Sequence, residues 1–223
     1  MRIKLRIVLC IALLLMLCAC AGNPAGQSGG HTEPSTNPVR QEGVRLDDVS
    51  LREFQALIEI AGDKNCENWW YNMALTAGEF SNPRKLDLHV FFYNGFKTAG
   101  VTDEEESMLY ELGFPPEMDI QKNPREDMDQ ILQAYLGLSL EETDRVGLDK
   151  MTYVESTDAY YKYSGDFSCK EGVTVRDGYV LEDGSVCLYY TSNNEWEGEW
   201  VLTLKPSGVE DGPAYHIVSN LPA

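Results

Sequence analysis

The chain has 223 residues, of which 36 are acidic and 18 are basic, so its formal net charge at neutral pH is −18. A surface with this charge is repelled by nucleic-acid phosphates and by anionic lipid headgroups. The composition therefore argues against a nucleic-acid-binding protein, while a cationic partner is compatible with it.

The first predicted element is an apolar run over residues 7–21, preceded by the basic residues Arg2, Lys4 and Arg6. A helix that crosses the hydrocarbon core of a membrane needs about 20 apolar residues, which is more than this run contains. A short basic region followed by a short apolar run is typical of an export signal.

The end of this run, Leu17-Cys18-Ala19-Cys20, resembles a bacterial lipobox. In such signals a Leu stands three residues before an invariant Cys, and a small residue stands directly before it. Cys20 matches this pattern and Cys18 does not. The resemblance implies a signal peptide over residues 1–19 and a diacylglycerol on Cys20, which would hold the protein on the outer side of the membrane, since buried acyl chains contribute about 0.8 kcal/mol per CH₂. An uncleaved anchor and a simple secretory signal are the alternatives.

Cleavage before Cys20 would leave 15 basic and 36 acidic residues, a formal net charge of −21. Cys66, Cys169 and Cys187 would remain beside the acylated Cys20. With three cysteines in an extracytoplasmic chain, at least one is a free thiol or pairs with a cysteine of another molecule. Because no metal-binding spacing accompanies them, isolated buried thiols are favoured, and a Cys169–Cys187 disulfide is the alternative.

Residues 20–45 are predicted to form a flexible tether. Gly, Pro, Ser, Thr and Asn dominate this segment, which contains too little apolar surface to offset the entropy of ordering it. Residues 46–223 are then predicted to form a single domain, a size at which one compact core is expected.

Helix signals dominate the domain up to about residue 150. Capping boxes predict three helix starts, at Ser50–Glu53, Thr102–Glu105 and Ser139–Glu142. Asn82-Pro83 and Asn123-Pro124 predict two more, because proline is favoured at the first helical position. Glycines predict the helix ends, at Gly62, Gly95, Gly113, Gly137 and Gly147.

After Lys150 the apolar period changes from 3.6 to 2, which predicts strands. Six segments show this pattern: 151–155, 159–165, 173–181, 185–191, 199–205 and 214–219. Asp183-Gly184 suits a two-residue type I′ turn that would pair Val180 with Cys187 and point Cys187 away from the buried layer. The whole pattern predicts an α+β fold, with N-terminal helices packed on one face of a C-terminal antiparallel β-meander.

The domain contains no sequence motif of catalysis or of metal binding. Gly-x-Ser-x-Gly, His-Glu-x-x-His, P-loop and Gly-x-Gly-x-x-Gly patterns are missing, and His89 and His216 are interpreted as structural. The segment from Asp63 to Ala74 begins with calcium-loop spacing but lacks the required Gly and Glu. No catalytic residue, metal or cofactor is therefore predicted.

Two aromatic clusters are the candidate ligand or partner contacts. Trp69, Trp70 and Tyr71 are consecutive and cannot all face one way, so at least one is expected to be exposed or to pack across an irregular loop. Core packing is nevertheless favoured over ligand contact. Trp196 alternates with glutamates near Trp200, and such indoles suit a sugar or a quaternary ammonium ligand, although a solvated hairpin tip is favoured.

Three segments resemble an uncharacterised extracytoplasmic lipoprotein domain of Firmicutes: residues 80–96, 135–161 and 177–191. That domain occurs in lipoproteins and as the outer part of membrane-bound sensor metallopeptidases. The resemblance runs over residues 50–220 and rests on caps and turns. It implies a location in the cell envelope and supplies no reaction and no functional residues.

These features favour a non-enzymatic binding or regulatory module, anchored by lipid on Cys20, that contacts an envelope protein, peptide or glycan. The alternative is a cell-wall hydrolase that uses paired carboxylates, one of which would need a raised pKa. The sequence identifies neither the ligand nor such a pair.

Overall fold

Helices dominate the first part of the folded region and strands dominate the second. The computed structural model describes residues 42–59, 68–93, 99–163, 172–192 and 198–223, all within one compact unit. The helices in these ranges are α1 (Asp48–Ile58), α2 (Asn68–Thr76), α3 (Leu88–Phe91), α4 (Asp103–Glu111) and α5 (Arg125–Leu136). The strands are β1 (Val44–Arg45), β2 (Ile120–Pro124), β3 (Thr152–Val154), β4 (Ala159–Tyr163), β5 (Val173–Val180), β6 (Val186–Ser192), β7 (Trp200–Pro206) and β8 (Tyr215–Pro222). None of the described helices is both long enough and apolar enough to cross a membrane.

The strands form two antiparallel sheets, which confirms the predicted α+β class. The larger sheet has the order β1-β5-β6-β7-β8 and the smaller has the order β2-β4-β3. The prediction of one C-terminal meander is wrong in its detail, because β3 and β4 pair with β2 and not with β5. Strand β2 also precedes Lys150, where helices were expected, and β1 lies at the end of the predicted tether. These pairings join residues far apart in the chain, such as Gln121 and Lys162, and no local pattern signals them.

Helix α2 is buried from Trp69 to Leu75, and Asn72, the polar residue of this stretch, donates to the backbone oxygen of Ile58. Trp69, Trp70 and Tyr71 are therefore all buried, and none of them is exposed as one of the two sequence expectations had it. The Tyr71 hydroxyl donates to the backbone oxygen of Tyr215 (2.6 Å) and accepts from its N–H (3.1 Å). This pair of hydrogen bonds fixes α2 to β8.

Local capping signals locate some helix starts correctly and others not. The capping boxes at Thr102 and Ser139 are present, and Gly137 ends α5 with a left-handed backbone. The Ser50 capping box is wrong, because Asp47 caps α1 three residues earlier. The helix predicted from Pro83 is divided into a 3₁₀ turn at Pro83–Lys85 and the separate helix α3.

The β5–β6 hairpin is offset by one residue from its predicted register. Val180 pairs with Val186, because Leu181 closes onto Ser185 and leaves a three-residue loop. Gly184 lies in the left-handed region (φ 81°), as this longer turn requires. The shift places Cys187 opposite Tyr179, and a bulge between Val175 and Asp177 changes the pairing again. Since both faces of β6 are covered, Cys187 is buried in either register.

The first described strand, β1, lies where the tether was predicted to end. Val44 and Arg45 pair with Val180 and Tyr179 at the edge of the larger sheet. The Arg45 Nε lies 2.8 Å from a carboxylate oxygen of the buried Asp177. Burial opposes ionisation of Asp177, but the hydrogen bonds from Arg45, Gly178 and Tyr179 together lower its pKa. The described structure therefore includes a strand at the end of the segment that was predicted to be a tether.

Candidate functional site

A cleft opens at a step in the smaller sheet. Strand β3 begins at Thr152, opposite Tyr161, whereas β4 continues to Tyr163. Among the described strands, the end of β4 is therefore paired only on its β2 side. The cleft has a volume of about 330 Å³, near the lower limit for sites that bind small molecules.

The wall of the cleft combines basic and aromatic side chains. The basic ones are His89, Lys150 and Lys162. The remaining side chains are mostly aromatic or apolar, namely Tyr93, Phe114, Met118, Thr152, Tyr161 and Tyr163. The Phe114 and Tyr163 rings contact each other at a tilt of 52° with 4.8 Å between centroids, and Met118 and Tyr163 are 42% and 37% exposed. Part of the apolar wall is thus open to solvent.

Helix α3 positions His89 beside this cleft. The Asp87 carboxylate caps the helix by accepting from the Val90 N–H, and Leu88 and Phe91 are buried. The Phe91 ring lies 5.2 Å from the ring of Trp70 on α2, which anchors α3 in the core. His89 and Tyr93 then reach the cleft wall, with 5.9 Å between their ring centroids.

The side chain of Lys162 is the most unusual feature of the cleft. Lys162 is only 3% exposed, and its Nζ donates to the backbone oxygen of His89 at 2.8 Å. The same nitrogen lies 4.7 Å from the centroid of the Tyr93 ring. Within the described ranges no carboxylate forms an ion pair with it. A lysine buried to this extent is rare unless a carboxylate neutralises it.

Burial changes the protonation of both Lys162 and His89. Removal from water lowers the pKa of Lys162 to about 7, although the more distant Asp87 carboxylate opposes this effect. Burial, and then the charge of Lys162, lower the pKa of His89. At neutral pH the cleft therefore contains a largely neutral imidazole and an amine that exchanges readily between its two forms.

Lys150 supplies a second, more exposed amine at the cleft. Its Nζ lies 3.1 Å from Asp87, so one carboxylate both caps α3 and pairs with Lys150. Asp87 in turn packs tightly on Gly147, where a Cβ added to the glycine would lie 2.2 Å from its Oδ1. Gly147 also has a φ of 76°, which glycine adopts at little cost.

Of the residues predicted as ligand contacts, Trp69, Trp70 and Tyr71 do not line this cleft. Trp69, Trp70 and Tyr71 lie in the core, which was the favoured interpretation. Trp196 and the lipidation residue Cys20 lie outside the described residues, as do Cys66 and Cys169. Cys187 is buried with its Sγ 3.7 Å from Thr203 Oγ1, and burial raises the pKa of its thiol.

Sequence reasoning did not identify Lys162. A signal was present in the segment Ala159-Tyr-Tyr-Lys-Tyr163, where a lysine interrupts a strand of aromatic residues. Alternation places Lys162 on the same face as Tyr160, opposite to Tyr161 and Tyr163. The pattern alone could not show that α3 covers this face.

The described carboxylates with shifted pKa values include no candidate for the general acid of a hydrolase. Their pKa values are all lowered, whereas a general acid needs a raised one (Asp47, Glu105, Glu142, Asp177 and Asp183). For Glu105, burial is outweighed by hydrogen bonds from Lys122, the Thr102 backbone and Tyr161. Within the same residues no group of His, Cys, Asp and Glu could hold a metal ion.

No family model, curated protein or solved structure matches the chain. The resemblance to a lipoprotein domain of Firmicutes therefore stays a prediction from the sequence.

Proposed function

We propose that the protein is a lipid-anchored extracytoplasmic binding module whose ligand is a small anion with an aromatic or apolar part. The cleft at the end of β4 is its binding site, and lipid on Cys20 is its membrane anchor. The observation that carries this proposal is the buried amine of Lys162, which no carboxylate of the described chain neutralises.

An anionic ligand would neutralise the positive charge of protonated Lys162 in the cleft. Protonated Lys162 has lost most of its hydration, so a nearby negative charge would stabilise it strongly. Lys150 and His89 line the same space. Two lysines thus line one cleft on a chain with twice as many acidic as basic residues, although Asp87 pairs with Lys150 and His89 is largely neutral.

The size and the aromatic wall of the cleft indicate the rest of the ligand. A volume of about 330 Å³ suits a molecule of one ring or a short chain. Phe114 and Tyr163 offer two aromatic rings in mutual contact, and Met118 offers an adaptable apolar side chain. The ligand is therefore expected to combine one acidic group with a flat or apolar body.

A purely structural role for Lys162 is the competing interpretation. Its hydrogen bond to His89 satisfies a carbonyl oxygen at the end of α3, a common role for lysine. However, Gln121, its neighbour on β2, satisfies the carbonyl oxygen of Phe92 at 2.8 Å with a neutral amide. Capping this short helix thus does not require a charge, whereas binding an anion does.

A cell-wall hydrolase is the alternative from the sequence, and the described carboxylates give it no support. Such an enzyme needs a carboxyl group that stays protonated near neutral pH. The pKa values of Glu105 and Asp177 are lowered, which favours the ionised form of both carboxyl groups. We therefore retain the non-enzymatic binding module.

Calorimetry on the full chain in nonionic detergent tests the proposal. Benzoate and phenyl phosphate should bind at pH 7, and benzyl alcohol, which has the same ring without the charge, should not. Because binding raises the pKa of Lys162, protons should be taken up, and the measured heat should depend on the ionisation enthalpy of the buffer.

Two variants make the test specific to the cleft. Lys162→Met should weaken benzoate binding by about tenfold or more, whereas Lys205→Met, at an exposed position on β7, should leave it unchanged. Equal binding of the charged and neutral probes, or unaltered binding by Lys162→Met, would refute the proposed site.

A further inference from the structure

The amine of Lys162 is a nucleophile at the wall of a cavity, and anion binding does not use this property. Lys162 is among the residues that line a cleft with room for a small molecule, and its amine forms no ion pair with a carboxylate of the described chain. Ordinary lysines lack this combination because they are exposed and protonated.

We propose that Lys162 captures small aldehydes and 2-oxo acids as a reversible imine, while Lys150 holds the carboxylate of the captured molecule. This inference rests on the proposed function in one respect, since it needs the cleft to admit a small anion. It goes beyond that function because a covalent bond forms and because it specifies the reactive group of the ligand.

The protonation state of the amine supports the reaction. Only the neutral amine has a lone pair that can attack a carbonyl carbon. With a pKa of about 7, about half of the Lys162 amines are neutral at pH 7. An exposed lysine with a pKa of about 10.4 is neutral in only about one molecule in 2,500. The charged and titratable groups that face Lys162 in the described chain are Asp87, His89, Tyr93 and Lys150.

The reaction is balanced without an oxidant or a reductant. The nitrogen lone pair attacks the carbonyl carbon, and the π electrons move to oxygen. A proton moves from nitrogen to oxygen to give a carbinolamine, which expels its hydroxyl group as water and leaves the C=N bond. His89 lines the same cleft with a lowered pKa, so its imidazole can carry protons between nitrogen and oxygen.

Lys150 determines which carbonyl compounds are favoured. Its amine lines the cleft and is half exposed, with Asp87 as its partner. A carboxylate next to the carbonyl group, as in a 2-oxo acid, could share Lys150 with Asp87 while the carbonyl carbon approaches Lys162. Neutral aldehydes would lack this contact and should react more slowly.

Reductive trapping on the full chain tests the inference. Glyoxylate and cyanoborohydride at pH 7 convert any imine into carboxymethyl-lysine, which peptide mass mapping assigns to a position. Lys162 should be modified at least about tenfold faster than Lys205, and Lys150→Met should slow the reaction at Lys162 but not at Lys205. Equal rates at Lys162 and Lys205 would overturn the inference.

Glycolate separates this inference from the proposed function, because it has the same carboxylate and an alcohol in place of the aldehyde. Glycolate should compete with glyoxylate and protect Lys162. Binding of benzoate and glycolate without trapping at Lys162 would overturn only the imine. Fast trapping at Lys162 that glycolate does not reduce, with no benzoate binding, would overturn the anion site and the role of Lys150.

Discussion

Single residues in this protein differ in whether their burial stabilises the fold or opposes it. Tyr71 and Asn220 are buried polar residues whose side chains make hydrogen bonds, to Tyr215 and Gly78 for example. Lys162 is buried with one hydrogen bond for an amine that can donate three. Residues that cost stability in this way occur preferentially at functional sites.

Replacement of Lys162 by methionine should therefore stabilise the protein. The unfolded chain keeps the Lys162 proton up to about pH 10.5, and the folded chain keeps it only to about pH 7. In this interval the unfolded state binds more protons, so wild-type stability rises with pH, and the penalty is complete below about pH 7. Lys162→Met should gain about 1–3 kcal/mol in unfolding free energy at pH 7, after the loss of one hydrogen bond.

Urea unfolding at about pH 6, 7 and 9 measures this effect. The advantage of Lys162→Met over wild type should be largest at the two lower values and should decrease toward pH 9. Lys205→Met serves as the control and should follow wild type at each pH. A difference between Lys162→Met and wild type that does not vary with pH would contradict the assigned protonation.

The burial of Lys162 could not be read from its local sequence, and neither could that of Trp69–Tyr71. Three consecutive aromatic residues exclude an amphipathic element, but they are compatible with a helix that the rest of the domain surrounds. Likewise, a lysine in a strand is exposed unless another element covers its face. In both cases a distant part of the chain decides the environment of the residue.

Among the elements, the short helix α3 depends most on its surroundings. Its four residues are too few to be stable alone, so its position relies on the Asp87 cap, on Trp70 and on the donors Gln121 and Lys162. Asp87 packs against Gly147, and the cleft wall therefore depends on a glycine outside it.

Gly147→Ala should destabilise α3 and, with it, weaken ligand binding in the cleft. The substitution forces an alanine to adopt a positive φ and places its Cβ 2.2 Å from Asp87 Oδ1, which would displace the cap. Unfolding free energy should fall by about 2–4 kcal/mol, and benzoate binding should weaken.

Gly208→Ala is the matched control for this change. Gly208 has a similar φ of 70°, but its added Cβ would meet nothing within 4 Å. The unfolding free energy of this variant should fall by about 1 kcal/mol from the backbone conformation alone, and its affinity for benzoate should not change. Equal losses of stability and binding in both variants would show that the contact with Asp87 is unimportant.

Helix caps and strands, which depend on residues close together in the chain, were predicted more accurately than the pairing of the strands. The Thr102 and Ser139 caps and the six C-terminal strands follow from short motifs and alternation. Asp183-Gly184 fits both a two-residue and a three-residue loop, so the hairpin register was wrong by one residue. The second sheet was missed because β2 and β4 are more than 30 residues apart.

For the whole molecule, the central prediction is attachment to the membrane through Cys20. The wild-type protein should carry the mass of a diacylglycerol and remain in the membrane fraction. Cys20→Ala should lack this mass, either as a released protein or as an uncleaved precursor, because no thiol is available for lipid transfer.

Cys18→Ala is the control, since the residues before Cys18 do not fit a lipobox. Intact mass spectrometry of membrane and soluble fractions distinguishes the variants, and Cys18→Ala should be processed like wild type. Retention of Cys20→Ala with the lipid mass of wild type would disprove the assignment of Cys20.

If lipid on Cys20 anchors the molecule, the position of β1 would give it a mechanical property. Strand β1 is the first described element after the segment that leads to Cys20, and it adds to the edge of β5 through a two-residue pairing. When a bound partner pulls the domain away from the membrane, the tension enters the fold at this strand. The Arg45–Asp177 ion pair and the backbone hydrogen bond from Leu46 to Gly178 would carry that force before the core does. Under this force, strand β1 would thus detach from the edge of the sheet first, while β5 to β8 stay folded.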